Sequence, residues 1–378
     1  MYNIKMAHHF SNFVQKKSKL EFKIKDVDLS IVNSIRRIIL SEVPTLGFYF
    51  DAYDHERKDI NIISNTGVLH NEFISHRLSL IPLYFDEDEI LDKATLDYKF
   101  VIKVKNTTND VILITTKNFE IYDKNGKKQP EAFREHVFPK NDITGDHILI
   151  TKLRPNLYDN TQGEELNVEC IPTIGIAQQH ARWCAVSQCC YHNTVDPVMS
   201  QKEFDKLTKD STPEERKKQS VKFDITDKYR FFKKNKYDDP CEFEFTIDSE
   251  CRLTPKQIFY TALDILQKKT KAFSENVGEF KTVNIGGLPN FYQLEIPNEN
   301  FTLLNVLHCL IYNACYREMA VNPIEYIGYY QSHPLDNIMF LKVKFADPNT
   351  NIKEFMEKHA LDIANYIQTL KDEWNVKK

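Results

Sequence analysis

With 378 residues, 42% of them hydrophobic and 12% aromatic, the chain is long enough to bury a sizeable core and to form two or three structural units. Fifty basic against fifty-four acidic side chains leave a net charge of −4, which excludes a protein that works by coating nucleic acid. No apolar run reaches the length of a membrane span, residues 1–20 lack the apolar core of a leader, and eight scattered cysteines form no CxxC pair. Secretion, a bilayer, a disulfide framework and a standard zinc module are therefore not expected, and a reducing, intracellular compartment is.

In chain order, residues 1–19 are polar and predict an N-terminal extension. Leu20 to Ile24 then alternates apolar and polar residues, as a half-buried strand does. Ser30 to Ile39 follows as an amphipathic helix: Ile31, Ile35, Ile38 and Ile39 share one face, Asn33, Arg36 and Arg37 lie on the polar face, and Ser30 is suited to cap the N-terminus. Thr45 to Tyr53 reads as extended. Strand signals at Tyr98–Val104 and Val111–Thr115, with a turn at Lys124-Asn-Gly126, predict a β-rich insert domain over 84–174 that interrupts a first unit made of 20–83 and 175–275. A charged, apolar-poor stretch, 196–239, predicts a surface insertion with a short helix at best.

Phe243–Ile247 alternates again, and Thr254-Pro-Lys-Gln257 opens a long helix carrying Ile258, Ala262, Ile265, Leu266 and Phe273. Residues 276–290, with three glycines and a proline, read as a linker. The second unit, 291–378, comprises a strand at Tyr292–Ile296, a helix at Thr302–Ile311 with Leu303, Leu307, Leu310 and Ile311 on one face, and extended segments at Ile324–Gln331 and Met339–Phe345. It closes with a helix from near Thr350 through Ile363 and Ile367 to Trp374.

These elements repeat. Tyr292–Ile296 follows Leu20–Ile24 by 272 positions, and the register holds without a gap into the helices, where Thr302-Leu-Leu-Asn aligns with Ser30-Ile-Val-Asn. The fold class is α+β, with two related units of a sheet and two helices each. A sheet covered on one face by two helices leaves a helical face to bury, and a pseudo-two-fold pairing of the units within one chain satisfies both. The helix residues Ile31, Ile35, Ile38, Ile39, Ile265, Leu303, Leu307, Leu310, Ile311, Ile363 and Ile367 are the expected pairing core.

Chemistry is sparse. His180, Cys184, Cys189, Cys190 and His192 offer thiolate and imidazole groups, but their spacing fits no common zinc module, Trp183 and Val186 beside them suggest packing, and no oxyanion-forming glycine turn accompanies them. Tyr229-Arg-Phe-Phe-Lys-Lys-Asn-Lys-Tyr237 has the composition of a single-strand stacking platform, although acidic flanks favour a loop that packs its aromatics and solvates its lysines. Ten glycines leave little room for a phosphate cradle. No metal and no cofactor are expected, and any catalysis belongs to other chains.

The segment Asp28-Leu-Ser-Ile-Val-Asn-Ser-Ile-Arg-Arg-Ile-Ile-Leu-Ser-Glu-Val-Pro44 resembles the first helix of the alpha-like subunits of cellular RNA polymerases. Val68–Leu83 is similar to the second signature of that family and Gln178-Gln-His-Ala-Arg-Trp183 to a loop after its insert domain, while Asn300–Asn305 and Ile327–Leu335 resemble the small, eleventh-subunit partner. The likeness covers about 20–83, 170–195, 240–275 and 291–378. Leu304 departs from it, standing where the small partner usually has glycine, and residues 84–169 hold no cysteine, so the zinc loop of third-subunit relatives is not expected.

The resemblance implies a non-catalytic assembly subunit of a DNA-dependent RNA polymerase, docking the largest and second-largest subunits and small accessory subunits, and meeting DNA only through the complex. The implied subunit contacts are Asn33, Arg36, Arg37, His70, Glu72, His76, Arg77, His180, Arg182, Trp183, Asn305 and His333. Fusion of both partners in one chain resembles the arrangement of large cytoplasmic DNA viruses, which implies host cytoplasm and virion; a cellular enzyme implies the nucleus. The alternative is an independent single-stranded nucleic-acid-binding module using residues 229–237.

Overall fold

The computed structural model describes residues 8–53, 59–85, 97–156, 158, 163–317 and 323–376. Residues 1–7 of the expected N-terminal extension lie outside the described residues. The chain divides into two compact units, one of residues 1–39, 188–248 and 255–378 and one of residues 40–187 and 249–254.

The first unit contains two four-stranded antiparallel sheets of the same strand order. One runs β1 (Phe10–Lys16), β2 (Lys19–Lys25), β12 (Glu242–Ser249), β11 (Val186–Asn193); the other runs β13 (Lys281–Asn284), β14 (Phe291–Pro297), β16 (Ile338–Phe345), β15 (Ile324–Gln331). The central pairs place Phe22 opposite Phe245 and Leu294 opposite Leu341, so the alternating apolar residues of each pair line one buried face. Two strands differ from the expectation. β1 occupies the stretch read as an extension, because Phe10 is enough to anchor it against β2, and β13 lies inside the expected linker, pairing with β14.

Helices α1 (Leu29–Ser41) and α6 (Pro255–Asn276) follow β2 and β12; α7 (Phe301–Tyr312) and α8 (Ile352–Val376) follow β14 and β16. The helix caps lie two residues before the expected hydroxyls. Asp28 Oδ1 accepts from the Ser30 amide at 2.8 Å and the Ser30 hydroxyl at 2.6 Å, and Asn300 Oδ1 accepts from the Thr302 amide at 2.8 Å. Both caps keep the 272-residue offset. The strand that matches β15 in sheet order is β11, not the segment after α1, which begins with the short β3 (Thr45–Gly47) in the other unit. Residues 40–187 intervene between α1 and its sheet partner in the first repeat, whereas β15 follows α7 closely in the second.

The stretch 196–239 holds two helices, more than the short one expected: α4 (Pro197–Leu207), capped by Asp196, and α5 (Pro213–Thr226), with a Thr212–Glu215 capping box and proline at its first position. They meet through Phe204 and Phe223, whose rings lie 5.2 Å apart.

The second unit is built on an antiparallel sheet of β4 (Ile60–Asn65), β9 (Glu165–Cys170), β5 (Lys99–Lys105) and β7 (Glu120–Tyr122). Two ribbons accompany it, β3 with β10 (Thr173–Gly175) and β6 (Ile112–Thr115) with β8 (Leu149–Leu153), together with helices α2 (Asn71–Ser79) and α3 (Glu131–Val137). The expected insert boundaries, 84 and 174, fall inside this unit. Its interior stacks Phe48, Phe100, Phe119 and Phe138. Asn106 is fully buried and donates to the carbonyls of Leu153 and Asp110, holding the loop after β5.

Candidate subunit interface

The apolar spacing of α1 turns Ile31, Ile35, Ile38 and Ile39 into the interior and leaves Asn33 and Arg36 half-buried and Arg37 exposed. Arg36 Nε donates to Asn33 Oδ1 at 3.1 Å, one turn back. In α7 the matching Asn305 Oδ1 accepts instead from the Tyr329 hydroxyl at 3.0 Å and, more weakly, from the Cys309 thiol at 3.4 Å. His308, which stands where α1 has Arg36, packs edge-on to Tyr329 and parallel to Tyr312. Burial lowers the His308 pKa, against an opposing hydrogen bond to the Ile327 backbone, so the position disfavours a charge. Phe301 and Tyr316, 44% and 43% exposed, extend this face. Two repeats of one element thus carry unlike outer faces, one cationic and one aromatic.

Between the repeats the helices run antiparallel. The Ser34 hydroxyl donates to the Thr302 carbonyl at 2.9 Å, Arg37 Nε to the Thr302 hydroxyl at 2.9 Å, and Asn313 Nδ2 to Asp28 Oδ2 at 2.9 Å, so the start of α1 meets the end of α7. Helices α6 and α8 do likewise: Trp374 Nε1 donates to the Lys256 carbonyl at 3.0 Å, Lys371 pairs with Asp264, and the Ser274 hydroxyl donates to the Glu357 carbonyl at 2.9 Å. Trp374 packs among Phe10, Phe22 and Phe259, with centroids 5.0, 4.9 and 4.2 Å away. Of the expected pairing core, Leu303, Leu307, Leu310, Ile311, Ile363 and Ile367 are buried like the α1 isoleucines. Ile265 is only half-buried, and its neighbours Leu263 and Leu266 take the interior. Leu304, the departure from the small-partner pattern, is fully buried.

A cavity of about 630 Å³ opens between the start of α1, the 235–241 loop and α7. Asp28, Asn305 and His308 line it, as does Arg317, whose guanidinium pairs with Asp239 and lies over the rings of Tyr237 and Tyr312 at 5.2 and 5.4 Å. Sequence reasoning missed Asp28, Thr302, Tyr329 and Arg317. The shared offset of Asp28 from Asn300 was a readable signal for the first, while nothing local marks Arg317.

In the second unit, His70, Glu72, His76 and Arg77 are exposed along α2, opposite buried Ile74 and Leu78. His70 precedes the first turn and packs on Phe73 at 4.5 Å. Arg77 is spent internally, donating to the carbonyls of Leu149 and Ile150 at 2.7 Å. His180 Nδ1 accepts from the Arg182 amide at 3.1 Å, and burial first, then Arg182 and His76, lowers its pKa. Arg182 donates to the carbonyls of Phe48 and Phe50 and stacks over Tyr49 and Trp183. Trp183 is only 2% exposed and donates to the Thr173 carbonyl, so it is an interior residue and not a contact surface.

His333 stays exposed in the β15–β16 turn, its Nδ1 accepting from the Leu335 amide at 3.2 Å. Of the cysteine and histidine residues of this stretch, Cys184 donates to the Val186 carbonyl, Cys189 is buried with its thiol pushed up, and His192 is exposed and paired with Glu244. Among the described residues no three His, Cys, Asp or Glu side chains are grouped to hold a metal, and no helix is long and apolar enough to cross a membrane. In the 229–237 stretch the cations are engaged: Arg230 with Asp227, Lys233 with Glu242, Lys234 with Asp238.

Residues 21–270 match the RNA polymerase Rpb3/Rpb11 dimerisation domain. The chain is 26% identical over 299 residues to the DNA-directed RNA polymerases I and III subunit rpac1 of Dictyostelium discoideum, covering 69% of this chain and 79% of that one. It is 26% identical over 272 residues to the DNA-directed RNA polymerase II subunit RPB3 of Schizosaccharomyces pombe, covering 70% and 85%. With subunit 3B of the RNA polymerases IV and V of Arabidopsis thaliana it shares 25% identity over 203 residues, and it spans 57% of that relative's length. The match takes in β2, α1, β12 and nearly all of α6, the elements that carry the first repeat, and the chain belongs to the family of the RNA polymerase Rpb3/Rpb11 dimerisation domain.

Proposed function

We propose that this chain is a non-catalytic assembly platform of a DNA-dependent RNA polymerase, folded as an intramolecular pseudo-dimer in which the first repeat acts as the third-subunit-like partner and the second, 291–378, as the eleventh-subunit-like partner. The observation that carries this reading is the repeated strand order of the two sheets, joined by antiparallel helix pairs, with asparagines 33 and 305 at one structural position holding Arg36 in one copy and Tyr329 in the other. Two large, unlike catalytic subunits require two unlike faces, and rotating one element about a pseudo-two-fold axis presents them on opposite sides. The cationic face, with its planar donors, is assigned to the second-largest subunit and the aromatic face to the largest. Covalent fusion keeps the two partners at an effective concentration of roughly millimolar. It is the arrangement of large cytoplasmic DNA viruses, to whose polymerases we extend the reading.

Arg37 reaches Thr302 inside the fold, so the docking test rests on Arg36. Arg36→Glu is expected to leave a soluble chain with unchanged melting that no longer recovers the second-largest subunit in a pull-down, while recovery of the largest persists. Undiminished recovery of both subunits sinks the assignment of this face.

A further inference from the structure

The helical hairpin of α4 and α5 has an outer surface that its own fold does not explain. Phe223 is the buried side chain of α5, turned against Phe204 and stacked near Phe231. On the opposite side Val221 and Ile225, one turn apart, are 60% and 72% exposed. Single exposed aliphatics need no explanation, but two stacked on one face form the start of a docking stripe.

The charges around them are unbalanced. Asp196 caps α4, Glu215 closes the capping box, and Glu203, Asp205 and Asp224 pair with Lys206, Arg216 and Lys228. Among the described residues of 197–226 this leaves Lys202, Lys209, Lys217, Lys218 and Lys222 without an ion pair, against the carboxylates of Asp210 and Glu214 alone. Three of those lysines rim Val221 and Ile225, in a chain whose net charge is negative. Glu214, in the first turn, favours the helix N-terminus and stands almost two turns from Val221.

We propose that the outer face of α5 docks an acidic amphipathic segment of a partner protein, its aliphatic side chains on Val221 and Ile225 and its carboxylates toward Lys217, Lys218 and Lys222. Such pairing combines apolar burial with electrostatic steering at the rim. A nucleic acid fits this face less well. Its apolar residues are aliphatic and give bases no stacking surface, and the cations beside the nearby aromatics are already paired with carboxylates.

The test uses the full chain and does not depend on polymerase assembly. A fluorescent synthetic peptide of about 18 residues, with leucines at helical spacing and glutamates elsewhere, is titrated beside its lysine-for-glutamate counterpart and an oligothymidylate. The acidic peptide is expected to bind saturably and about tenfold more tightly than its basic counterpart. Val221→Ser with Ile225→Ser, and separately Lys217→Glu with Lys218→Glu and Lys222→Glu, are expected each to weaken it about tenfold without moving the melting temperature, since these side chains are exposed. Absence of saturable binding, equal binding of both peptides, or binding indifferent to both variants overturns the proposal. So does an oligothymidylate that binds and is lost with the lysine variant while the acidic peptide is not held.

Discussion

The hydroxyl of Ser34 donates to the carbonyl of Thr302 across 2.9 Å of buried interior, joining helices from the two repeats. Beside it Arg37 donates to the Thr302 hydroxyl, so one residue of α7 receives both contacts from α1. Ser34→Ala is expected to cost about 1 kcal/mol, the net worth of one neutral buried hydrogen bond. A double-mutant cycle of Arg37→Ala with Thr302→Val is expected to give a coupling of about 0.5–1.5 kcal/mol. Urea midpoints measure both, and additive effects in the cycle would show that the Arg37 contact carries no energy.

Gly175 faces the Trp183 indole so closely that an added Cβ would lie 2.3 Å from two ring atoms. Gly175→Ala is expected to destabilise by about 1–3 kcal/mol, and by more if the ring cannot shift. Gly278 has nothing within 4 Å of such a Cβ, so Gly278→Ala is the control and is expected to change little. Trp183 and Trp374 are the two tryptophans, and in a Trp374→Phe background an emission shift would report displacement of Trp183 directly. Equal midpoints for the two alanine variants would refute the steric argument.

His180, His308 and His359 are each held below the ordinary histidine range, burial being the leading cause. A histidine with a depressed folded pKa stays neutral in the folded chain while the unfolded chain takes up a proton near pH 6.5. Below that pH the unfolded state binds more protons, so stability falls as pH falls. The chain is expected to begin losing stability between about pH 7 and 5. Glu242 acts lower down: burial opposes its charge, but Lys233 and Lys23 outweigh that and lower its pKa, so its contribution is lost only as pH drops through the carboxylate range. Urea midpoints at several pH values test this, and His308→Gln with His359→Gln should flatten the upper slope; an unchanged slope would falsify the assignment.

Arg317 ties the 235–241 loop to the end of α7 through Asp239, Tyr237 and Tyr312. Arg317→Ala is expected to cost about 1–2 kcal/mol and to expose the loop to cleavage after Lys234 and Lys236. Arg317→Lys should rescue only part of this, because an ammonium cannot stack as a guanidinium does. Unaltered limited proteolysis of the alanine variant would remove the anchoring role.

Much of this molecule is legible in its sequence because the repeat is ungapped where it matters. The strand, helix and asparagine positions of the two copies fall at one offset, and periodicity alone turns Ile31, Ile35, Leu303 and Leu307 inward. What escapes has specific causes. The caps shift from Ser30 and Thr302 to Asp28 and Asn300 because several side-chain oxygens near a helix start qualify, and only the backbone path chooses among them. The strand matching β15 is hidden by the long excursion between α1 and β11. The resemblance implies Trp183 as a subunit contact, whereas its surroundings in sequence suggest packing; it is enclosed because Gly47 and Gly175, distant in sequence, leave space for its ring. Helices α4 and α5 exceed the short helix expected of so charged a stretch, although Thr212-Pro-Glu-Glu215 carries a full N-terminal signature.

Trp374 sets a clock on biosynthesis. The aromatic cluster around Phe22 lacks its central ring until residue 374 has been made, roughly 350 residues after Phe22 itself, which at about 5–20 residues per second is roughly 20–70 s of translation. Until then Phe10 and Phe22, joined by Phe259 once that residue is made, have no indole to close over them, so a chain truncated before residue 374 is expected to leave this aromatic surface open.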